Sequence, residues 1–306
     1  MSTVAPSRSH PVTISRIPDP AEPVPAVAWP TVALLIGGIA LAVGSTALGV
    51  TGTWPGVLTV VVNAVAAYLL FTVSHDAAHH AASSNDALNR WLGRISTPFF
   101  APQASFAVWR FIHMQHHRFT NHDDGSDPDA YTMGGPAWQR PLRWLTIDVH
   151  YVRFFLRHAS SRPRAEKVEL FVQWAVVGTL AAAALIAGYG PELLLFWIVP
   201  QRLAIVWLAF AFDYLPHHGL HHRPSEDKLK TTRNRVGGER WVSPLLLYQN
   251  YHLVHHLHPV VPFYRYLAVW RRNEDAYLEG DPALSTVRGR PLTADEYRRL
   301  RELADH

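Results

Sequence analysis

The chain has 306 residues, a net charge of +4 and a pI near 9.4; 48% of it is hydrophobic and only 17% charged, against a globular average of about 25%. It has no cysteine, which excludes disulfides, Cys-ligated zinc, iron–sulfur clusters, thiolate-ligated haem and covalently attached c-type haem. The basic residues are scattered and carry no nucleic-acid motif, so a membrane protein with polar parts is expected and a nucleic-acid partner is not.

Residues 1–28 hold six prolines and little apolar periodicity, and read as a disordered leader. From Trp29 to Ser74 there is no Asp, Glu, Lys or Arg. That run is long enough for two spans of about 20 residues each. "TGTWPG" at 51–56 breaks it, so spans are expected at about 30–50 and 57–75. "HDAAHH" follows at 75–80, where the second span leaves the bilayer. Residues 88–112 mix aromatics with arginines, as an interfacial helix or an ordinary core helix pair would. A second pair of spans is expected at about 168–188 and 193–212, around the turn "GYGP". Arg202 interrupts the last one and should face protein or snorkel. Residues 29–264 then form one membrane domain, and 265–306 a charged, loosely packed tail. No β alternation of useful length is visible.

Charge sets the expected topology. Apart from Arg202, every Lys and Arg lies in 1–28, in 75–167 or beyond 212. The positive-inside rule places those regions, and both termini, in the cytoplasm. The fold expected is all-α: four transmembrane helices in two hairpins, with a cytoplasmic helical cap.

The histidines carry the chemistry. "HMQHH" at 113–117 and "HLVHH" at 252–256 share the spacing His-x-x-His-His. Histidine fills 19 of 306 positions, so one such pattern is expected about 0.07 times by chance. On a helix, residues i, i+3 and i+4 share a face. His113, His116 and His117 can therefore converge on one point, as can His252, His255 and His256. His75 and His79 offer an i, i+4 pair, and "DYLPHH" at 213–218 adds a fourth cluster at the same level. Eight or nine imidazoles are too many for one ion and suit two. Imidazole suits Zn, Cu, Fe and Ni. A hydrolytic zinc site needs only three protein ligands, whereas many imidazoles beside a greasy membrane suit iron, O₂ and a lipid-soluble substrate better. A His-based membrane metal transporter or sensor is the rival of another class. It would put its ligands near the bilayer midplane, and these clusters lie outside the expected spans.

The order His-x₃-His, His-x₂-His-His, His-x₂-His-His, with membrane hairpins between the second and third boxes, resembles the membrane di-iron fatty acid desaturase and hydroxylase superfamily over roughly residues 60–270. By that resemblance the metal ligands are His75, His79, His113, His116, His117, His217, His252, His255 and His256. It further implies two iron ions, O₂ as co-substrate, an integral position in a bacterial inner membrane, and electrons from a separate donor such as ferredoxin with its reductase. Asp213 stands where acyl desaturases often carry an Asn that reaches iron through water. Asp76, Asp127, Asp129 and Asn250 are further candidates to bind metal or to support its ligands; a ligand imidazole leaves one ring N–H that wants an acceptor, and capping is the other role for Asp. His80, His122, His218, His221, His222 and His258 are expected to stay outside the ligand set. "FDYLPHH" at 212–218 and "NYHLVHHLHP" at 250–259 are most similar to bacterial carotenoid β-ring hydroxylases, with "LPH" also similar to carotenoid ketolases. A fatty acyl desaturase is the alternative. Residues 99–111 and 207–215 are expected to line the substrate pocket of either.

Overall fold

The computed structural model describes residues 17–304. Its first helices are α1 (Trp29–Val50), α2 (Gly56–Ala78), α3 (Asp86–Phe100) and α4 (Phe106–Phe119). The short α5 (Arg140–Leu145) and α6 (Ile147–His158) follow, then α7 (Arg164–Ile186) and the long α8 (Gly190–His217). Four of these, α1, α2, α7 and α8, are long and apolar enough to cross a membrane. Their surfaces agree: α1 and α7 turn large side chains such as Ile36, Phe171, Leu180 and Ile186 outward, away from any protein. Such side chains are stable only against lipid or a partner.

Residues 51–55 join α1 to α2, and the two helices pack closely. A Cβ on Gly38 would sit 2.8 Å from Leu70 Cγ, and one on Gly49 would sit 2.6 Å from Thr59 Oγ1. Small residues let backbones approach where lipid gives no hydrophobic drive. Polar groups tie α8 to this pair: Asn63 donates through Nδ2 to Phe196 O at 2.7 Å and to Thr46 Oγ1 at 2.9 Å. Phe196 lies in one of two π-helical stretches of α8, Leu194–Ile198 and Ala209–Tyr214. Wider π turns release carbonyls from the regular ladder, and here one is taken by Asn63. Arg202 faces protein: its guanidinium pairs with Asp148 of α6 and donates to Leu145 O at 3.1 Å. The last long helix extends beyond the expected 212 to His217, so Asp213 and His217 ride on it.

Two sequence expectations are corrected. Residues 17–28, placed in a disordered leader, run as an extended strap; residues 1–16 lie outside the described residues. Arg272 donates to Pro20 O at 2.6 Å and pairs with Glu22 at 2.7 Å, and Asn273 donates to Asp19 O. The tail beyond 265 is not loosely packed. It forms α11 (Tyr266–Arg272), α12 (Glu274–Glu279) and α13 (Ala294–Ala304), after the short α9 (Glu239–Leu245) and α10 (His252–Leu257). Strands β1 (Asn234–Val236), β2 (Leu284–Thr286) and β3 (Pro291–Leu292) form a small sheet, β1 parallel to β2 and β2 antiparallel to β3. Tyr266, Trp270, Tyr277 and Tyr297 are fully buried, with Trp270 and Tyr277 stacked at 5.0 Å. These large rings bury enough area to order a segment rich in charge. The module also sets α10, because Asn234 Oδ1 accepts from Leu253 N at 3.0 Å.

Candidate metal centre

The end of α2 supplies His75 and the adjoining His79, α4 supplies His113, His116 and His117, α8 supplies His217, and α10 supplies His252, His255 and His256. Local sequence explains two of these placements. Ser105 caps α4, accepting from Val108 N at 3.3 Å, so the box of α4 falls in its last two turns on one face. Pro216 lies in the last turn of α8, which ends at the buried His217.

The nine imidazoles form two groups. His75, His79, His113 and His255 are one; His116, His217, His252 and His256 are the other. His117 lies between them, in ligand range of both His255 and His256. In the first group Nε2–Nε2 separations are 2.8 Å for His79–His113 and 3.1 Å for His75–His255, and His117 Nε2 lies 2.9 Å from His255 Nε2. In the second they are 3.3 Å for His116–His256 and 3.2 Å for His252–His256. Facing lone pairs repel at this range unless a proton or a cation lies between them. Imidazole nitrogens bound to one ion at about 2.1 Å stand roughly 3.0–3.4 Å apart, which is close to these separations. Both ring nitrogens of His217, and Nδ1 of His75, are buried without a hydrogen bond. The donor set fits two ions.

The other ring nitrogens fix this convergence. His116 Nδ1 donates to Asp127 Oδ1 at 2.9 Å and lies 3.4 Å from Asp129 Oδ2. His255 Nδ1 meets Tyr266 Oη at 2.9 Å, and His252 Nδ1 meets Gln249 Oε1 at 3.2 Å. Each partner holds the proton on Nδ1 and leaves Nε2 free to ligate. Trp109 stacks on His113 at 5.1 Å and fixes its ring plane.

Burial, reinforced by neighbouring imidazoles, holds His79, His113, His117, His252, His255 and His256 well below the ordinary histidine value, so they are neutral at pH 7. His116 differs. Burial opposes its charge too, but Asp129 and Asp127 outweigh burial and raise it to about 9. The site is therefore built for positive charge beside His116, which a metal ion supplies in place of a proton. Burial pushes Asp129 up to about 6, and Tyr151 Oη donates to it at 2.6 Å.

The remaining candidates separate. Asp127 does both jobs considered for it: besides His116 it accepts from Asn121 N at 2.9 Å and Asp129 N at 3.0 Å. Asp76 serves no imidazole; it accepts from Thr31 Oγ1 at 2.8 Å and from Phe263 N at 3.3 Å, tying α1 and the C-terminal module to α2. Asn250 donates to Arg235 O at 3.0 Å and belongs to neither group. Asp213 is in neither group and lines the adjoining cavity beside Asp129. His80 pairs with Asp86 at 2.8 Å, and His258 with Tyr277 Oη at 2.7 Å. Sequence reasoning missed Tyr266, Gln249, Tyr151 and Trp109. Trp109 fell within 88–112 and Tyr266 within the stretch read as a tail, but nothing local marks a partner brought in by the fold.

An apolar cavity of about 60 Å³ reaches both groups through His75, His113, His116 and His252. Phe71, Phe100, Trp109, Tyr151, Leu208 and Phe212 are among its walls. Residues 99–111 and 207–215 were expected there, and α2 and α6 contribute as well.

Comparison with known proteins agrees with this architecture. The model of the family "Fatty acid desaturase" matches residues 52–288. A beta-carotene ketolase of Paracoccus sp. is 31% identical over 204 residues, covering 64% of this chain and 71% of the ketolase. An sn-1 oleoyl-lipid 12-desaturase of Picosynechococcus sp. is 26% identical over 226 residues, covering 63% of this chain. A dihydrorhizobitoxine desaturase of Bradyrhizobium elkanii is 28% identical over 221 residues, covering 64%. The chain spans 62% of the length of the 12-desaturase and 61% of the dihydrorhizobitoxine desaturase. With the match running through all three histidine boxes and the long helices α2, α7 and α8, the chain belongs to the fatty acid desaturase family.

Proposed function

We propose that the protein is an O₂-dependent membrane di-iron oxidoreductase that attacks unactivated C–H bonds of a lipid-soluble substrate, and that it hydroxylates a carotenoid β-ring. The observation that carries the reaction class is the pair of converging imidazole groups opening onto an apolar cavity. When bound, two irons supply the redox chemistry that activates O₂ and abstracts hydrogen. His75, His79, His113 and His255 would hold one ion, His116, His217, His252 and His256 the other, with His117 between them. Asp127, Tyr266 and Gln249 orient three of these imidazoles. The walls, from Phe71 to Phe212, exclude water and hold one substrate carbon near the centre. Electrons come from a separate donor, ferredoxin or a similar carrier with its reductase, because the chain has no cysteine for a cluster of its own.

Two observations favour a ring over an acyl chain. "DYLPH" at 213–217 is similar to carotenoid-modifying enzymes, and the Paracoccus relative that shares 31% identity acts, by its name, on beta-carotene. The 12-desaturase likeness supports a second reading, an acyl-lipid desaturase. Co-expression in a β-carotene-producing host separates them. Hydroxylated rings are expected. Unchanged carotene together with new unsaturated fatty acids would transfer the assignment to the second reading.

The positive-inside rule supports an inner-membrane topology with the metal centre and both termini in the cytoplasm, since Arg202 alone of the basic residues falls within α8 and it is paired with Asp148.

A further inference from the structure

Where α3, α4 and the start of α7 meet lies a polar pocket of about 330 Å³. Ala107, Phe111 and Met114 line it, whereas His113 and His116 line the metal cavity, so the pocket lies on the other flank of α4. Four arginines face it: Arg90 and Arg94 of α3, Arg110 of α4 and Arg162 just before α7. Only two carboxylates do, Glu166 and Glu169, and both are taken. Glu166 accepts from Arg162 Nε and Nη2 at 2.8 and 2.6 Å. Glu169 accepts from Arg94 Nη2 at 2.6 Å and from Ala107 N at 2.9 Å. Arg110 donates through Nε to Ala78 O at 2.8 Å, and its Nη2 meets His80 Nε2 at 3.2 Å; neither partner is a carboxylate. Arg90 has no hydrogen bond or ion pair among the described residues. Two guanidinium charges therefore face the pocket without a counter-charge. Two of the arginines are also held in place, Arg110 by its two partners and Arg162 by Glu166 and by the Phe111 ring 4.1 Å beneath it.

The surroundings say which anion fits. Next to Arg90 and Arg94 on α3, Trp91 and Ile95 are exposed; next to Glu169 on α7, Val168, Phe171 and Val172 are exposed. Large apolar side chains so placed are stable against lipid. The pocket thus opens where the lipid-facing belt of α7 gives way to charged residues, the level of phospholipid headgroups. It has room for a phosphate and its glycerol but not for the face of a protein, which covers about 800 Å². We propose that this pocket binds the headgroup of one anionic phospholipid, with the phosphate on Arg90 and Arg110 and the tails along Trp91, Ile95 and Phe171. Basic pockets between membrane helices take anionic headgroups by this chemistry. The site requires only that α2 and α7 cross the membrane, and it rests on neither the iron nor the carotenoid reading. Its occupant braces α3, α4 and α7 against one another behind the ligand-bearing flank of α4, without touching substrate.

The full chain, purified in mild detergent, is titrated with phosphatidylglycerol, with phosphatidylcholine and with inorganic phosphate. Native mass spectrometry counts the lipid retained, and the melting temperature reports stabilisation. Phosphatidylglycerol is expected to bind at one per chain and to raise the melting temperature, because a ligand of the folded state stabilises it. Phosphatidylcholine and inorganic phosphate should do neither at the same concentration. Arg90→Gln, at an exposed position, should weaken phosphatidylglycerol binding about fivefold, the contribution of one arginine near an anionic headgroup. Arg288→Gln removes the same charge from an exposed position on the C-terminal module and should stay within about twofold. No retained phosphatidylglycerol, equal binding of both lipids, equal stabilisation by inorganic phosphate, or equal loss in both variants overturns the assignment. So does an Arg90→Gln protein that keeps phosphatidylglycerol but loses turnover with an acidic ferredoxin, which would give this face to the electron donor.

Discussion

Asp127→Asn tests how the second imidazole group is held. Asp127 accepts from three donors, His116 Nδ1, Asn121 N and Asp129 N, at 2.9, 2.9 and 3.0 Å. The side chains of His116 and Asp127 are 3% and 1% exposed, so water cannot replace a lost partner. Asparagine presents one oxygen and one NH₂. Whichever way it turns, its NH₂ faces a donor. One buried donor orphaned in this way costs about 1–3 kcal/mol of stability. Whether the amide turns its NH₂ to His116 or keeps its oxygen there as a neutral acceptor, the imidazole loses the carboxylate that holds the proton on Nδ1. Loss of such a partner typically weakens a metal site about 10–100-fold, or about 1.4–2.8 kcal/mol. Among the nine imidazoles, Asp127 is hydrogen-bonded only to His116, so the loss should fall on one ion. The assay is iron per chain across a chelator titration of purified protein. The variant should release its weaker ion at about 10–100-fold lower chelator activity, while the other ion leaves as in wild type. Equal weakening of both ions, or of neither, would refute the assignment of His116 to a separate group.

His117→Ala and His255→Ala should abolish product without preventing membrane insertion, because both residues stand at the junction of the two groups; His222→Ala, whose backbone O merely accepts from Asn121 Nδ2, should keep substantial activity. Product analysis beside a membrane-fraction blot decides this, and equal loss in all three would mean the site is misdrawn. Metal-free protein should lose stability as pH falls below about 6.5, the unfolded histidine value: His79, His113, His117, His252, His255 and His256 have lowered pKa values, so the unfolded chain binds more protons there. His116, raised to about 9, and Asp129, raised to about 6, work the other way: the contribution of His116 is complete below about 6.5 and fades as pH rises through 9, and folded Asp129 takes up its proton as pH falls through 6, but they are two groups against six. Thermal melts from pH 5 to about 8 check the sum, and a melting temperature that rises on acidification would contradict it. Tags at both termini should report cytoplasmic, and a probe at Thr53, in the turn between α1 and α2, external; the opposite labelling would refute the charge-based topology.

What the sequence made legible was local. The four long helices follow from long apolar runs, and the ligand faces follow from i, i+3, i+4 spacing that any helix imposes. What it hid depends on distant contacts. Tyr266 reaches His255 only because the C-terminal module folds back. That module looked like a loose charged tail because its anchors, Tyr266, Trp270, Tyr277 and Tyr297, follow no single period across several short elements. The strap at 17–28 was misread for a similar reason: apart from the Glu22–Arg272 ion pair, its contacts with Arg272 and Asn273 are made through backbone carbonyls, which leave no pattern in the strap itself. Asp76 shows the opposite failure. Its place inside a histidine box suggested an imidazole partner, but its carboxylate turns to Thr31 and Phe263. The π-helical turns of α8 are likewise invisible to a reading that assumes 3.6 residues per turn.

The central claim is that two imidazole groups each hold one iron. Metal analysis of protein purified after iron-supplemented expression tests it most directly. About two irons per chain are expected from eight or nine imidazole ligands of a kind that suits iron. One zinc per chain with no iron, under the same expression, would contradict it.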